Sequence, residues 1–229
     1  MKDQNYNGFQ GFFEDSIIYR EYLIKSIHQK LKVRLEQINR AFSMMRCETP
    51  CLMNSAYIDS EYFKDNNYIF SIHDQPLSLR PETTIGIYKM AKLLMNPHNQ
   101  ISYKPPLCLW QAGKSFRNEQ DKTFKHMRLK EFYQLEFELF YTKDTKADYP
   151  ELLYPIVLDI LEKELQSPLK FEKSERLPKY STKTMDIVLE HNNMELCSMS
   201  NRTDFDDDNL KVFEISIGLD RLIYNRMGF

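Results

Sequence analysis

Two short stretches carry residue types suited to holding a nucleotide. Phe116-Arg117-Asn118-Glu119 closes one apolar run, and Arg128-Leu129-Lys130-Glu131-Phe132 opens the next. Together they gather an arginine, a carboxylate, a second arginine and an aromatic ring at one hairpin mouth. Guanidinium forks suit phosphate oxygens, a flat ring suits a purine, and a carboxylate accepts from an exocyclic amine. Strand alternation is expected to place Arg128, Lys130 and Phe132 on a single face. An exposed charged strand with cross-strand ion pairs fits the same residues.

Composition narrows how phosphates would be held. The six glycines, at positions 8, 11, 86, 113, 218 and 228, cannot be assembled into G-x-G-x-x-G or a P-loop. Gly113-Lys114-Ser115 imitates the end of a P-loop, but the earlier glycine position holds Cys108. Side chains must therefore do the work, arginine above all. The 31 Lys and Arg against 33 Asp and Glu leave a formal charge of −2, which excludes the basic footprint of an indiscriminate nucleic-acid binder. With 42% hydrophobic residues, a chain of 229 can bury a core, so a soluble globular protein is expected.

Several elements must position these residues. From Asp15 to about Arg40 there is no Pro or Gly, and Ile17, Ile18, Tyr22, Leu23, Ile27, Leu31, Val33, Leu35 and Ile38 recur near helical spacing. Strand character follows over 41–45, and Pro50 ends the unit. Residues 68–73 and 77–80 are expected to be short strands around a turn, followed by a helix from Pro81 to about Met95. The stretches 107–116 and 127–141 predict a long hairpin around the polar loop 118–125. A helix over 149–165 comes next, then strands at 186–189, 195–198 and 211–215 and a terminal helix over 218–226. The pattern is one α+β domain over 1–229 with a mostly antiparallel sheet.

Met1 to Phe13 lacks the charged lead and apolar stretch of a secretory signal, and no apolar run is long enough to span a bilayer. Four scattered cysteines then argue for reduced thiols and a cytoplasmic location. Cys47 and Cys51 are spaced like half of a metal site, but no His or second cysteine pair at ligand spacing completes it, so ordinary buried thiols are expected over zinc.

The literal strings add more. Phe116-Arg117-Asn118-Glu119 with Arg128-x-x-x-Phe132 resembles the second signature motif of class II aminoacyl-tRNA synthetases. Leu79-Arg80-Pro81-Glu82-Thr83, Gly113 to Glu119 and Arg128 to Glu136 are similar to consecutive segments of glycyl-tRNA synthetases. Tyr180 with Asp186, Glu195-Leu196 with Asn201 to Asp206, and Glu214-x-Ser216-x-Gly218-Leu219-Asp220-Arg221 follow in the same order. The first motif would then lie at about 15–50, the second at 107–141 and the third at 211–229.

That resemblance implies an α+β fold of the class II type, with an antiparallel sheet flanked by helices, and a set of roles. Arg117 would bridge an amino-acid carboxylate and the α-phosphate of ATP. Arg221 would grip the γ-phosphate and Arg128 the bent triphosphate from the other side. Phe132 would stack on adenine, Glu119 would accept from its amino group, and Glu195 would place Mg2+ on the phosphates. Glu82, Glu214 and Ser216 would bind the ammonium of glycine, with Gln134 and Glu136 nearby. It further implies a homodimer built around the long helix and Pro50, and tRNA as acceptor. Lys122, Lys125, His126 and Lys130 are candidates for touching an acceptor stem. Three residues depart from the family pattern: Ser198 for glycine, Ile215 for proline and Cys108 for a small residue. With the chain ending at Phe229, no anticodon-binding domain is expected. Transfer to a carrier protein or small molecule, or a catalytically silent accessory subunit, are the alternatives.

Overall fold

Leu23, Ile27, Leu31 and Leu35 fall one turn apart, and that stripe is the buried face of the 25-residue helix α1 (Glu14–Ile38). Glu14 and Asp15 sit in its first turn, where carboxylates complement the helix dipole. The computed structural model describes residues 4–6, 9–58, 62, 68–119, 127–174 and 178–227, the first three by backbone alone. Lys122, Lys125 and His126 lie outside the described residues.

Before α1 come the three-residue strands β1 (Gln4–Tyr6) and β2 (Phe9–Gly11), and after it β3 (Ser43–Arg46), β4 (Leu52–Asn54) and β5 (Leu77–Leu79). Helix α2 (Thr84–Leu94) leads to the long hairpin of β6 (Leu107–Phe116) and β7 (Glu131–Thr142). Helix α3 (Tyr149–Leu165) follows, its first turn capped by the Asp148 carboxylate accepting from the Glu151 N–H at 3.3 Å. The chain ends with β8 (Leu169–Lys173), β9 (Ser181–Leu189), β10 (Glu195–Arg202), β11 (Leu210–Gly218) and α4 (Leu219–Met227).

Nine strands form one sheet in the order β1-β2-β7-β11-β10-β9-β8, with β6 also on β7 and β3 on β6. Its pairs are antiparallel except β2 with β7 and β3 with β6. β4 and β5 pair separately. No helix among the described residues is long and apolar enough to cross a membrane. Residues 68–73 do not form the expected strand. Only Ser71 bridges Ser78 there, and Asp74 at φ 58° turns the chain before β5 begins.

The two faces of the sheet differ sharply. Leu135, Phe137 and Leu139 on β7, Phe213, Ile215 and Ile217 on β11, and Cys197 and Met199 on β10 pack with α1, α3 and α4 into the main core. On the opposite face the same strands present Gln134, Glu136 and Glu138, then Glu214 and Ser216, then Ser198, Ser200 and Arg202. Six of these, Gln134, Glu136, Glu138, Ser200, Arg202 and Glu214, are buried. Burying polar and charged groups costs free energy that apolar residues would not, so this face marks the site.

Candidate active site

One wall of the site is fixed by a buried arginine. Arg80 follows β5 and donates from Nε to the Lys114 carbonyl at 2.8 Å. Its Nη1 donates to the Thr49 carbonyl at 2.7 Å and to Thr49 Oγ1 at 3.0 Å. The guanidinium crosses β6 at Gly113, where a β-carbon would stand 2.5 Å from Arg80 Nη2. Gly113, which looked like part of a P-loop, is the gap through which this clasp passes. The Phe116 N–H donates to the Arg80 carbonyl at 2.9 Å, so Pro81-Glu82 and Arg117 are held side by side, and Arg117 Nε donates to the Pro81 carbonyl at 2.9 Å.

A cavity of about 610 Å³ opens beside this wall, over the polar face of the sheet. One end is acidic. Arg202 Nη2 donates to Glu82 at 3.0 Å and to Asp204 at 2.6 Å, while Nη1 donates to Glu214 at 2.7 Å. The Tyr180 ring lies 4.0 Å from that guanidinium. Beneath them Glu136 Oε2 accepts from the Thr83 N–H at 3.0 Å and from the Thr83 and Thr84 hydroxyls. Its Oε1 accepts from Ser216, which in turn accepts from Gln134, each at 3.1 Å. Glu138 stands cross-strand from Glu214, and only Thr84 donates to it among the described residues, at 2.8 Å. Burial, and then the facing Glu214, push the Glu138 carboxyl well above the usual carboxylate range. Glu82, Glu136, Glu138 and Glu214 thus gather four carboxyl groups around the Arg202 guanidinium, burial pushing that of Glu214 up to about 7, and their oxygens suit a small cation.

Arg117, Arg128 and Arg221 line the same cavity, together with Glu119, Asp186 and Glu195. The Arg117 guanidinium lies 5.3 Å from the centre of the Phe132 ring. Arg221, in the first turn of α4, donates to the Glu195 carbonyl at 2.7 Å and pairs with its carboxylate at 3.2 Å. Asp186 on β9 accepts from Ser198 Oγ at 2.8 Å. Burial, with the Glu195 charge adding to it, pushes the Asp186 carboxyl up to about 6.

Of the residues singled out in the sequence, Arg117, Glu119, Arg128, Glu195, Arg221, Glu82, Gln134, Glu214 and Ser216 line this one cavity. Glu136 lies just behind Ser216, and Phe132 lies against Arg117. The expected shared strand face of Arg128, Lys130 and Phe132 is not formed. Met127 at φ 54° interrupts the extended run and β7 starts only at Glu131, so Arg128 reaches the cavity from a loop and Lys130 does not line it. Sequence reasoning assigned no role to Arg202, Asp186, Thr83 or Thr84. Alternation along β10 carried a signal, because Ser198, Ser200 and Arg202 share a face.

Next to Arg221, Asp220 points away from the cavity to the helical face and is buried. Its Oδ2 accepts from the Tyr133 N–H at 2.9 Å, while Oδ1 has no hydrogen-bond partner among the described residues. Burial moves its carboxyl from 3.8 to about 7. The folded state thus holds a proton that the unfolded chain has released, and stability falls as pH rises between about 4 and about 7. Asp220→Asn is expected to leave the melting temperature unchanged at pH 4 and to raise it by several degrees at pH 8, a gain of roughly 2 to 4 kcal/mol. Thermal melts at the two values read this directly, and an equal shift at both would show that Asp220 is not the titrating group.

No protein-family model matches the chain. It is 32% identical over 155 residues to the glycine–tRNA ligase of Mycoplasma mycoides, which covers 63% of this chain and 32% of that enzyme. To the glycine–tRNA ligase of Mycobacterium bovis it is 32% identical over 161 residues, covering 66% and 33%. The chain therefore spans about a third of the length of the curated relatives it matches. Among solved structures, prolyl-tRNA synthetase from Cryptosporidium parvum, complexed with halofuginone and AMPPNP, superposes with a TM-score of 0.73 at 13% identity, covering 98% of this chain and 50% of that one. Giardia lamblia prolyl-tRNA synthetase in complex with prolyl-adenylate gives 0.70 at 14% identity, with 96% and 47% covered.

Proposed function

We propose that this chain, which carries the class II aminoacyl-tRNA synthetase catalytic fold and is homologous over part of its length to glycine–tRNA ligases, activates glycine or a similarly small amino acid with ATP. The supporting observation is a single cavity lined by carboxylates, Glu82 and Glu214 with Glu136 behind Ser216, and by the arginines Arg117, Arg128 and Arg221. An amino acid laid between them points its ammonium at the first and its carboxylate at the second.

In the first step the amino-acid carboxylate attacks the α-phosphate, forming an aminoacyl adenylate and releasing pyrophosphate. The attacking group is already ionised at neutral pH, so no general base is needed and the chemistry is positioning plus charge stabilisation. Arg117 neutralises charge where the carboxylate meets phosphorus, Arg128 and Arg221 hold the remaining phosphates, Phe132 stacks on adenine and Glu119 accepts from its amino group. Glu195 and Asp186 both line the cavity, and a hard cation takes carboxylate oxygen, so these two side chains suit Mg2+. No group of three metal-ligating side chains occurs among the described residues, and phosphate oxygens and water would complete the shell. When bound, Mg2+ would offset phosphate charge.

The proposed acceptor is tRNA, charged in the cytoplasm by one catalytic domain. A homodimer belongs to the same reading, because Ile18, Tyr22 and Val33 leave apolar surface exposed along α1. Sedimentation showing a monomer at micromolar concentration would remove the dimer. The deciding test of activation is glycine-dependent exchange of pyrophosphate into ATP without tRNA. Exchange is the expected result, and its absence with every amino acid would overturn the reading. Charging of an acceptor-stem minihelix identifies tRNA as acceptor, whereas exchange without charging of any tRNA points to a carrier protein or small molecule.

A further inference from the structure

Tyr62 stands at the acidic end of the cavity, and its role follows from what backs it. Its hydroxyl donates to Glu82 Oε2 at 2.5 Å, while Arg202 holds Oε1 of the same carboxylate. The ring lies nearly parallel to Tyr68, with centroids 6.1 Å apart at 14°. Both rings pack with Ile85 against the buried cluster of Met53, Ile58 and Ile69. Burial, with Glu82 adding to it, pushes the phenol far above its ordinary range, so the hydroxyl is a donor at every working pH.

Carboxylates around an ammonium read its charge and leave the α-carbon unread. Size selection needs a surface that cannot retreat, and the polar ends of Glu82, Gln134 and Glu214 are already taken up by Tyr62, Arg202 and Ser216, which leaves the rings around them as candidates. A tyrosine ring wedged on an apolar cluster is a good one. We propose that Tyr62 is a specificity-determining residue, whose ring closes the space that a substituent on the α-carbon would need and whose hydroxyl aims Glu82 at the ammonium. This inference rests on the aminoacyl-adenylate reading.

The test uses the non-reactive mimics glycyl- and alanyl-sulfamoyl-adenosine, titrated calorimetrically into the wild type, Tyr62→Phe, Tyr62→Ala and Tyr62→Val. Wild type is expected to prefer the glycyl compound by about 10-fold or more, the worth of one methyl group against a wall. Tyr62→Ala and Tyr62→Val are expected to bring the two affinities within roughly 3-fold by admitting the alanyl methyl. Tyr62→Phe keeps the ring and therefore the preference, while binding both compounds more weakly. Thermal melts select the folded variants, with Tyr62→Val standing in if Tyr62→Ala fails to fold. If a folded small-residue variant keeps the wild-type preference, Tyr62 is not the determinant, although the adenylate reading survives. Should the wild type bind neither compound, that reading and this inference fall together.

Discussion

Arg202→Met is expected to lower stability by about 3 to 5 kcal/mol, read as a shift of the urea midpoint at pH 8. The guanidinium is nearly inaccessible and is shared by Glu82, Glu214 and Asp204 at 2.6 to 3.0 Å. Removing it leaves Glu82 and Glu214 buried without the guanidinium they share, and neither can turn to solvent without giving up the cavity wall. Burial pushes the Glu214 carboxyl up to about 7 even with Arg202 in place, so the loss should shrink at pH 5, where that carboxyl takes up a proton. Adding Glu82→Gln and Glu214→Gln to the same chain should recover most of the stability, because the cost lies in stranded charge more than in lost attraction. The triple variant would then fold and fail to bind glycine. If Arg202→Met melts like the wild type at both values of pH, the network carries no stabilising weight.

Arg117→Ala is expected to reduce glycine-dependent exchange by at least about 100-fold while the melting temperature moves by only a few degrees. Its side chain makes one described hydrogen bond, to the Pro81 carbonyl, and lies against Phe132, so the fold leans on it lightly. The proposed chemistry leans on it heavily, because it is the arginine beside both Glu82 and the phosphate-binding end. Arg117→Lys keeps the charge without the planar fork and should fall between the two. Undiminished exchange in Arg117→Ala would remove this residue from the reaction.

Legibility in the sequence followed the polarity of the two sheet faces. β6 and α3 begin and end at the residues expected, since each is a long apolar pattern bounded by proline or polar residues. β9, β10 and β11 extend further than expected, from Ser181, to Arg202 and over Leu210–Gly218. Their outlying parts carry Thr184, Ser200 and Arg202, polar residues at the site that interrupt the apolar pattern by which a strand is recognised. β8 was not foreseen because an edge strand of Lys170, Glu172 and Lys173 has no second apolar face. Arg117 and Arg128 are visible as short strings within the hairpin, and Arg221 in the string that ends the chain. The string Asn201 to Asp206 contains Arg202, yet its role is not legible there, because its partners Glu82 and Glu214 are supplied by β5's continuation and β11, 120 and 12 residues away.

The Arg80 clasp has a thermodynamic consequence. It binds Thr49 to Lys114 through the gap at Gly113, with Pro81 and Glu82 following directly, so the backbone carrying Glu82 is immobilised when the chain folds. The disorder of that segment is surrendered before any ligand arrives. A small solute with few contacts to offer can then keep nearly all of its interaction energy as affinity, a condition that matters most for a molecule the size of glycine.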